Sequence, residues 1–100
     1  MNTKISQLLK QEIKRQAETI SLIPSENYAS EAVRGLVGSV LMNKYSEGFA
    51  GRRYYQGNEI IDSIEEIAVN KAKSLFKVPH ANVQPYSGSP ANSAVLFALC

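Results

Sequence analysis

The chain has 100 residues, of which 44% are hydrophobic and 20% are charged, a composition that allows at most one small globular domain. Its net charge of +2 comes from 11 basic and 9 acidic residues spread along the chain. The sequence therefore has no basic block of the kind that indicates binding to nucleic acid. The apolar runs are too short to cross a membrane, and the polar N-terminus lacks the apolar core of a signal peptide.

The first part of the chain predicts two helices separated by a short extended segment. Residues 4–18 carry apolar side chains at helical spacing, with Lys and Glu between them. Residues 20–25 are apolar and interrupted by Pro24, which indicates extended chain. Ser30 can cap a second helix, whose apolar face continues to Leu41.

The second part predicts a loop, a long helix, a short strand and the start of another helix. Residues 43–55 show neither helical nor strand periodicity. Asn58 can cap a helix to about residue 77, with acidic residues early and lysines late, as the helix dipole favours. Residues 82–86 read as a short strand. Helices followed by strand, turn and helix indicate the beginning of an α/β protein.

The turn at residues 87–92, SGSPAN, is the clearest local pattern for ligand binding. A small-residue turn that opens a helix offers unpaired N–H groups and a helix dipole, which favour an anion such as phosphate. Ser89 is predicted as the N-cap and Pro90 as the first helical residue. Gly88 would allow close approach, and the Ser87 hydroxyl is a further donor. The alternative is an ordinary capped helix start, since neither a Walker A loop nor a dinucleotide fingerprint is present.

The loop at residues 43–55, NKYSEGFAGRRYY, combines three tyrosines, one glutamate and two arginines. Glu47 is a candidate general acid or base, or a partner for an amine. Tyr45, Tyr54 and Tyr55 offer phenol donors and flat faces for stacking. The two arginines are candidate anion ligands. The alternative is a loop held by buried aromatic rings, with its charges in solvent.

Three remaining features bear on the class of protein. The single cysteine, Cys100, has no intrachain partner, which together with the missing signal peptide predicts a cytoplasmic protein. His80 has no second histidine or cysteine pair to complete a metal site, so no metal is predicted. Residues 91–100 read as an apolar helix without a stop signal, and we therefore expect the chain to be the front piece of a longer protein.

A resemblance to a known family rests on three segments taken in order: LIPSENYAS, NKYSEGFAGRRYYQGNEIID and NVQPYSGSPAN. With those gaps they resemble the N-terminal part of the serine hydroxymethyltransferases, over essentially all of residues 4–100. The resemblance implies an α/β protein of fold type I that is mostly helical in this region. It further implies an N-terminal arm and interface loop over residues 1–57, and the start of the large cofactor-binding domain over residues 58–100.

The family resemblance also implies an activity. Members use pyridoxal 5′-phosphate (PLP) to interconvert serine plus tetrahydrofolate with glycine plus 5,10-methylenetetrahydrofolate. The cofactor acts as an electron sink, and tetrahydrofolate is the cosubstrate. Active sites lie at the dimer interface and take residues from both subunits, so the resemblance implies a homodimer, with a tetramer as the alternative. The expected partners are therefore a second copy of the chain, serine or glycine, and folate, with neither nucleic acid nor membrane.

Three residues match the family's substrate side. Ser25 matches a serine near the substrate carboxylate. Glu47 matches a glutamate that acts as acid or base at the substrate hydroxymethyl group and the folate, and it is the one predicted catalytic residue. Tyr54 matches a tyrosine on the substrate and folate side, contributed across the subunit interface.

Five residues match the family's cofactor side. Tyr45 matches a tyrosine that reaches the cofactor phosphate from the partner subunit. Tyr55 matches the active-site neighbour of the tyrosine that Tyr54 matches, also contributed across the interface. Ser87, Gly88 and Ser89 match the turn that holds the phosphate.

The same resemblance limits what this chain can do by itself. The family's cofactor lysine falls beyond residue 100, so we expect the isolated chain to be inactive. We also expect it to be poorly folded, because one strand cannot bury its faces without the rest of the sheet. Two other interpretations stay open: a folate-independent enzyme of the same fold type, similar to threonine aldolase, and a non-catalytic chain that only dimerises or binds anions. The chain departs from the family's usual residues at Pro24, Phe49-Ala50, Gln56 and Ser93.

Overall fold

The computed structural model describes residues 3–100 and divides into two compact units, one ending at Arg34 and the other covering Gly35–Cys100. Helix α1, Thr3–Glu18, confirms the helix predicted for residues 4–18. No strand follows it, and the segment predicted as extended contains a turn at Pro24–Ser25. The Glu26 N–H closes this turn on the Ile23 carbonyl at 3.2 Å.

The second predicted helix forms in a shorter version. Ser30 caps it as predicted, because its hydroxyl accepts the Val33 N–H at 3.3 Å. Helix α2, Glu31–Val37, then stops, and a 3-10 helix at Val40–Asn43 takes over with Ser39 as its N-cap. Glycine weakens a helix and serine competes for its backbone groups, so the sequence between these two elements favours the break.

A two-residue hairpin lies where only a loop was predicted. Strand β1, Gly48–Phe49, pairs antiparallel with β2, Arg52–Arg53, with Gly48 opposite Arg53. Within residues 3–100 this is the only sheet, and the rest of the regular structure is helical, as predicted for this region.

The long helix of the second unit forms where the sequence predicts it. Helix α3, Glu59–Phe76, follows Asn58, and Lys77 ends it in the left-handed conformation at φ 54°. Helix α4, Gly88–Leu99, begins one residue after Ser87, so the N-cap is Ser87 and the prediction of Ser89 was wrong.

The strand predicted for residues 82–86 is absent from the structure, in which this segment has no regular hydrogen bonding. A strand is stable only beside another strand, and the described residues offer it no partner. The Gln84 side chain instead bonds to the hairpin and to α3, as set out below.

Burial in the described residues is very limited. Asn58 is the only buried residue, and no apolar side chain among residues 3–100 is buried. The apolar faces of the helices therefore remain open to contact. Within the same residues no helix has both the length and the apolar character that crossing a membrane demands.

Candidate active-site loop

The hairpin depends on glycine at two positions. Gly48 has φ +106° and Gly51 has φ +72°, conformations that side chains disfavour. A Cβ added to Gly48 would lie 2.5 Å from the Arg52 carbonyl oxygen, which is backbone and cannot move aside cheaply. The Tyr54 N–H donates to the Glu47 carbonyl at 3.0 Å and extends the pairing by one step. Glu47 and Tyr54 therefore flank the hairpin as a fixed pair.

Arg53 fastens the hairpin to helix α3. Its side chain is only 4% exposed, and its Nε and Nη2 donate to Asp62 and Glu65 at 2.7 Å each. The Gly51 N–H adds a bond to the second Asp62 oxygen at 2.9 Å. Because both carboxylates lie on one face of α3, one guanidinium can bind both. Arg53 is thus committed within the fold, and the prediction of an anion-binding arginine is wrong at this position.

The charges of this cluster stabilise one another. The carboxylates of Glu65 and then Asp62 raise the pKa of the Arg53 guanidinium above its usual value. The Gly51 N–H and then the Arg53 guanidinium lower the pKa of Asp62 below its usual value. Asp62 therefore stays ionised at neutral pH, and the hairpin is held by charge-assisted hydrogen bonds.

The backbone around Glu47 is held at three successive carbonyls. Arg53 Nη1 donates to the carbonyls of Ser46 and Gly48, at 2.7 and 2.8 Å. The carbonyl of Glu47 itself accepts the Tyr54 N–H. The Glu47 carboxylate, in contrast, is exposed and has no hydrogen-bond partner among residues 3–100. The fold thus fixes where Glu47 sits and leaves its carboxylate free for a ligand.

Glu47 contributes to the lining of a cavity of about 430 Å³. It is lined by Ser46, Glu47, Gly48, Arg53, Glu65 and Gln84. Since Arg53 is saturated by its own carboxylates, Glu47 is the charged group of this lining that has no partner in the described chain. The cavity suits a ligand that offers hydrogen-bond donors or a proton to Glu47.

The tyrosines lie on both sides of the hairpin. The Tyr45 and Tyr55 rings meet edge to face, with centroids 5.8 Å apart. Asn58 joins their backbones, because its Nδ2 donates to the Tyr45 and Tyr55 carbonyls at 3.2 and 2.9 Å. Tyr45 is 75% exposed and Tyr54 is 78% exposed, and none of the three phenol oxygens has a partner among residues 3–100. The predicted alternative of a loop held by buried aromatic rings is therefore wrong for the described chain.

Asn58 does a different job from the one the sequence predicts. It stands at the N-cap position of α3, but its side chain makes no capping bond. Its amide instead ties the loop to itself, and its Oδ1 is buried without a partner in the described chain. The sequence signal for a cap was right about the place and missed the function of the side chain.

The turn before α4 exposes donors suited to an anion. Ser87 adopts extended backbone as N-cap, with no side-chain capping bond, and its carbonyl accepts the Ala91 N–H at 3.3 Å. The Gly88 and Ser89 N–H groups lie in the first turn of a 12-residue helix and have no intrahelical acceptor. A Cβ at Gly88 would meet nothing within 4 Å, so a ligand could approach the backbone closely.

The structure brings some of the predicted residues together and leaves others apart. Tyr45, Glu47, Tyr54 and Tyr55 belong to one loop, and Gln84 links that loop to the segment leading into the Ser87–Ser89 turn. No hydrogen bond or ion pair joins Glu47 to this turn within the described residues. Ser25 lies exposed in a turn of the other unit, so it is described by itself.

Sequence reasoning missed the residues that position the loop. Asp62, Glu65 and Gln84 were interpreted only as helix or strand residues, although Asp62 and Glu65 stand three apart on one helical face. That spacing after a loop with two arginines is the signal that could have predicted a bridge to α3. Nothing in the sequence indicates which of the two arginines makes it.

Comparisons with known proteins agree over nearly the whole chain. A family model described as "Serine hydroxymethyltransferase" matches residues 1–100. A serine hydroxymethyltransferase of Acidothermus cellulolyticus is 61% identical over 95 residues, which cover 95% of this chain and 22% of that protein. One from Mycoplasma mycoides is 57% identical over 103 residues, covering 99% and 25%. One from Desulfotalea psychrophila is 57% identical over 94 residues, covering 94% and 22%. The chain therefore spans about a quarter or less of the length of these relatives.

Proposed function

This chain belongs to the serine hydroxymethyltransferase family, and we propose that it supplies the amino-terminal part of a cytoplasmic PLP-dependent enzyme. The proposed reaction interconverts serine plus tetrahydrofolate with glycine plus 5,10-methylenetetrahydrofolate. In this proposal residues 1–57 form an arm and active-site loop, and residues 58–100 begin the large domain of a fold type I enzyme.

The observation that carries the proposal is the state of Glu47. The backbone carbonyls on both sides of it accept hydrogen bonds, its carboxylate has no partner among residues 3–100, and the exposed residue lines a cavity of about 430 Å³. A general acid or base needs this combination, a fixed position with an accessible oxygen. We assign to a Glu47 carboxylate oxygen the proton exchanged with the hydroxyl of the substrate hydroxymethyl group.

Other residues of the chain would bind and orient the substrate. The Tyr54 phenol would donate a hydrogen bond on the substrate and folate side, and Ser25 would donate to the substrate carboxylate. The exposure of Tyr45 and Tyr54 supports a homodimer, or a tetramer built from it, in which these side chains reach a partner subunit's site. Tyr45 and Tyr55 are held together in this proposal, because their rings are in contact and Asn58 bonds to the backbone of both.

The residues present fit the phosphate of PLP. The free N–H groups of Gly88 and Ser89, the uncommitted Ser87 hydroxyl and the open approach at Gly88 together suit a phosphate at the start of α4. Tyr45 would add a phenol donor from the partner subunit. When bound, PLP supplies the electron withdrawal that this chemistry needs.

The proposal is tested on the purified full-length enzyme. We expect an absorbance band of protein-bound PLP and formation of glycine from serine that depends on tetrahydrofolate. Cleavage of β-hydroxy amino acids that is unaffected by folate would instead assign the protein to a threonine-aldolase-like activity. Absence of both the band and the activity would leave only a non-catalytic, dimerising or anion-binding role.

Glu47→Gln is the matched variant for the catalytic assignment. We expect kcat to fall by about 10²- to 10⁴-fold while PLP retention stays near the wild-type level. Glu66→Gln is the control, because Glu66 is exposed on α3 and makes no hydrogen bond within the described residues. Equal losses of turnover and cofactor in Glu47→Gln would make Glu47 a structural residue.

We propose that the isolated 100-residue chain is inactive. It buries no apolar side chain among residues 3–100, so hydrophobic burial cannot offset the entropy lost on folding. Circular dichroism of the isolated chain should show no cooperative thermal transition. A sharp transition, or bound PLP, would contradict this proposal without affecting that for the full-length enzyme.

A further inference from the structure

Gln84 joins three segments that are distant in the sequence. Its Nε2 donates to the Gly48 carbonyl at 2.8 Å, across 36 residues, and to Glu65 Oε1 at 3.0 Å, across 19 residues. Both hydrogens of the amide are therefore used. Gln84 itself precedes the turn at Ser87 by three residues.

The carbonyl that Gln84 binds belongs to the residue directly after Glu47. Gly48 O also accepts Arg53 Nη1 at 2.8 Å, so donors from two different segments converge on one oxygen. Glu65 is divided in the same way, with Oε2 on Arg53 and Oε1 on Gln84. The Gln84 amide thus completes a closed set of bonds around the backbone of Glu47.

A neutral amide suits this place better than a charged group. A lysine or arginine at position 84 would bring a positive charge to the cavity that Glu47 also lines, where it could pair with the free carboxylate. The glutamine supplies two donors and no charge. It therefore holds the backbone while leaving the Glu47 carboxylate unpaired.

We propose that Gln84 is a positioning residue, which acts through the Gly48 carbonyl and Glu65 to set Glu47 relative to the Ser87–Ser89 turn. This inference rests on the proposed function, because it takes Glu47 as the acid or base. Gln84 lines the same cavity, but both of its amide hydrogens are used within the fold, so its role is to position Glu47 and not to bind substrate. Removing the Gln84 amide would shift the Glu47 carboxylate slightly and would leave every reacting group in place.

The test uses Gln84→Met in the full-length enzyme, since methionine keeps the length of the side chain and removes both donors. We expect kcat to fall about tenfold or more, because small displacements of a reacting group are costly. The KM for serine, the PLP absorbance band and the Tm should stay close to wild type. Gln84→Asn, whose amide is too short to reach, should give the same pattern and serves if the methionine variant does not fold.

A double-mutant cycle with Glu47→Gln separates positioning from a general structural effect. If Gln84 acts through Glu47, adding Gln84→Met to Glu47→Gln should change kcat by less than about twofold. Gln16→Met is the control, because the Gln16 amide also donates to a glutamate, Glu12, at 2.8 Å but on α1. The Gln16→Met variant should have the wild-type kcat.

Three results would overturn the inference. They are an unchanged kcat in both Gln84 variants, losses of Tm and PLP that account for the lower kcat, and additive losses in the double-mutant cycle. All three results are measured against a wild-type enzyme that makes glycine from serine, so none of them contradicts the proposed function. A wild-type enzyme without that activity would refute the proposed function, and with it the role of Gln84.

Discussion

Two arginine–carboxylate clusters in this chain have nearly equal bond lengths and different consequences. Arg15 binds Glu12 on α1 at 2.6 Å, with side chains that are 61% and 45% exposed. Arg53 binds Asp62 and Glu65 at 2.7 Å, but its side chain is almost completely enclosed. The first pair joins neighbours on one helix turn, and the second joins a hairpin to a helix. Distance alone therefore does not tell which ion pair determines the fold; burial and the elements connected do.

Removing each arginine gives the largest expected contrast. In the full-length enzyme, Arg53→Ala should lower the Tm by about 10 °C, because two partly enclosed carboxylates lose their shared counter-charge. Arg15→Ala should lower the Tm by less than about 2 °C, since solvent screens that pair. Differential scanning calorimetry measures both. Equal shifts would show that the two clusters contribute alike, against the comparison.

Glycine substitutions test whether the hairpin backbone is as important for stability as the Arg53 bonds to α3. Gly48→Ala should destabilise the enzyme by about 3 kcal/mol, since the new Cβ would meet backbone in a conformation that alanine disfavours. Gly35→Ala is the control inside α2, where a Cβ meets nothing within 4 Å and alanine should stabilise the helix by about 0.5–1 kcal/mol. Denaturant unfolding distinguishes the two. A neutral Gly48→Ala would mean that the hairpin relaxes freely.

Acid should weaken the Arg53 cluster, because Asp62 must be ionised to form its charged hydrogen bond with Arg53. Asp62 has a lowered folded-state pKa, so its contribution is complete above its ordinary pKa near 3.8 and is lost as pH falls below that value. The Tm difference between wild type and Asp62→Asn should therefore be widest near pH 6 and shrink toward pH 3. Glu12 has a pKa lowered to about 2 by the Arg15 hydrogen bond, but its exposure should keep the Glu12→Gln difference small throughout. A constant difference for Asp62→Asn would contradict the assignment.

The neighbouring arginine supplies the smallest expected effect. Arg52 is exposed, and its guanidinium carbon lies 5.9 Å from the centroid of the Phe49 ring. Arg52→Ala should cost about 0.5 kcal/mol, the usual contribution of an exposed cation–π contact. A loss as large as that of Arg53→Ala would mean that the hairpin is held from both of its faces.

The helices could be predicted from the sequence, because their signals are local. α1 and α3 show apolar residues at helical spacing, and the acidic start and basic end of α3 agree with its dipole. The break after Val37 was not predicted, since the apolar pattern continues through the point where the backbone changes to a 3-10 helix.

Local sequence signals could not predict the hairpin or the Arg53 bonds that hold it to α3. Strands of two residues are too short to show alternation, and the partners of Arg53 lie 9 and 12 residues further along. The strand expected at residues 82–86 failed for the opposite reason, since its pattern was adequate but no neighbouring strand is present among the described residues. The four loop residues of the candidate site were candidates from their local chemistry, and the family resemblance gave them separate roles. Their backbone restraints became visible only in the structure.

The span between Gln84 and Gly48 has a consequence for the order in which a ribosome makes the chain. Arg53 meets both of its carboxylates once residue 65 has emerged, whereas the Gln84 bond to Gly48 must wait for another 19 residues. Nascent chains halted when residue 70 has left the ribosome can form the Arg53 bonds but not the Gln84 bonds, and both sets can form once residue 90 has left it. Amide exchange at Phe49 and Tyr54 in such arrested chains would measure whether each set forms.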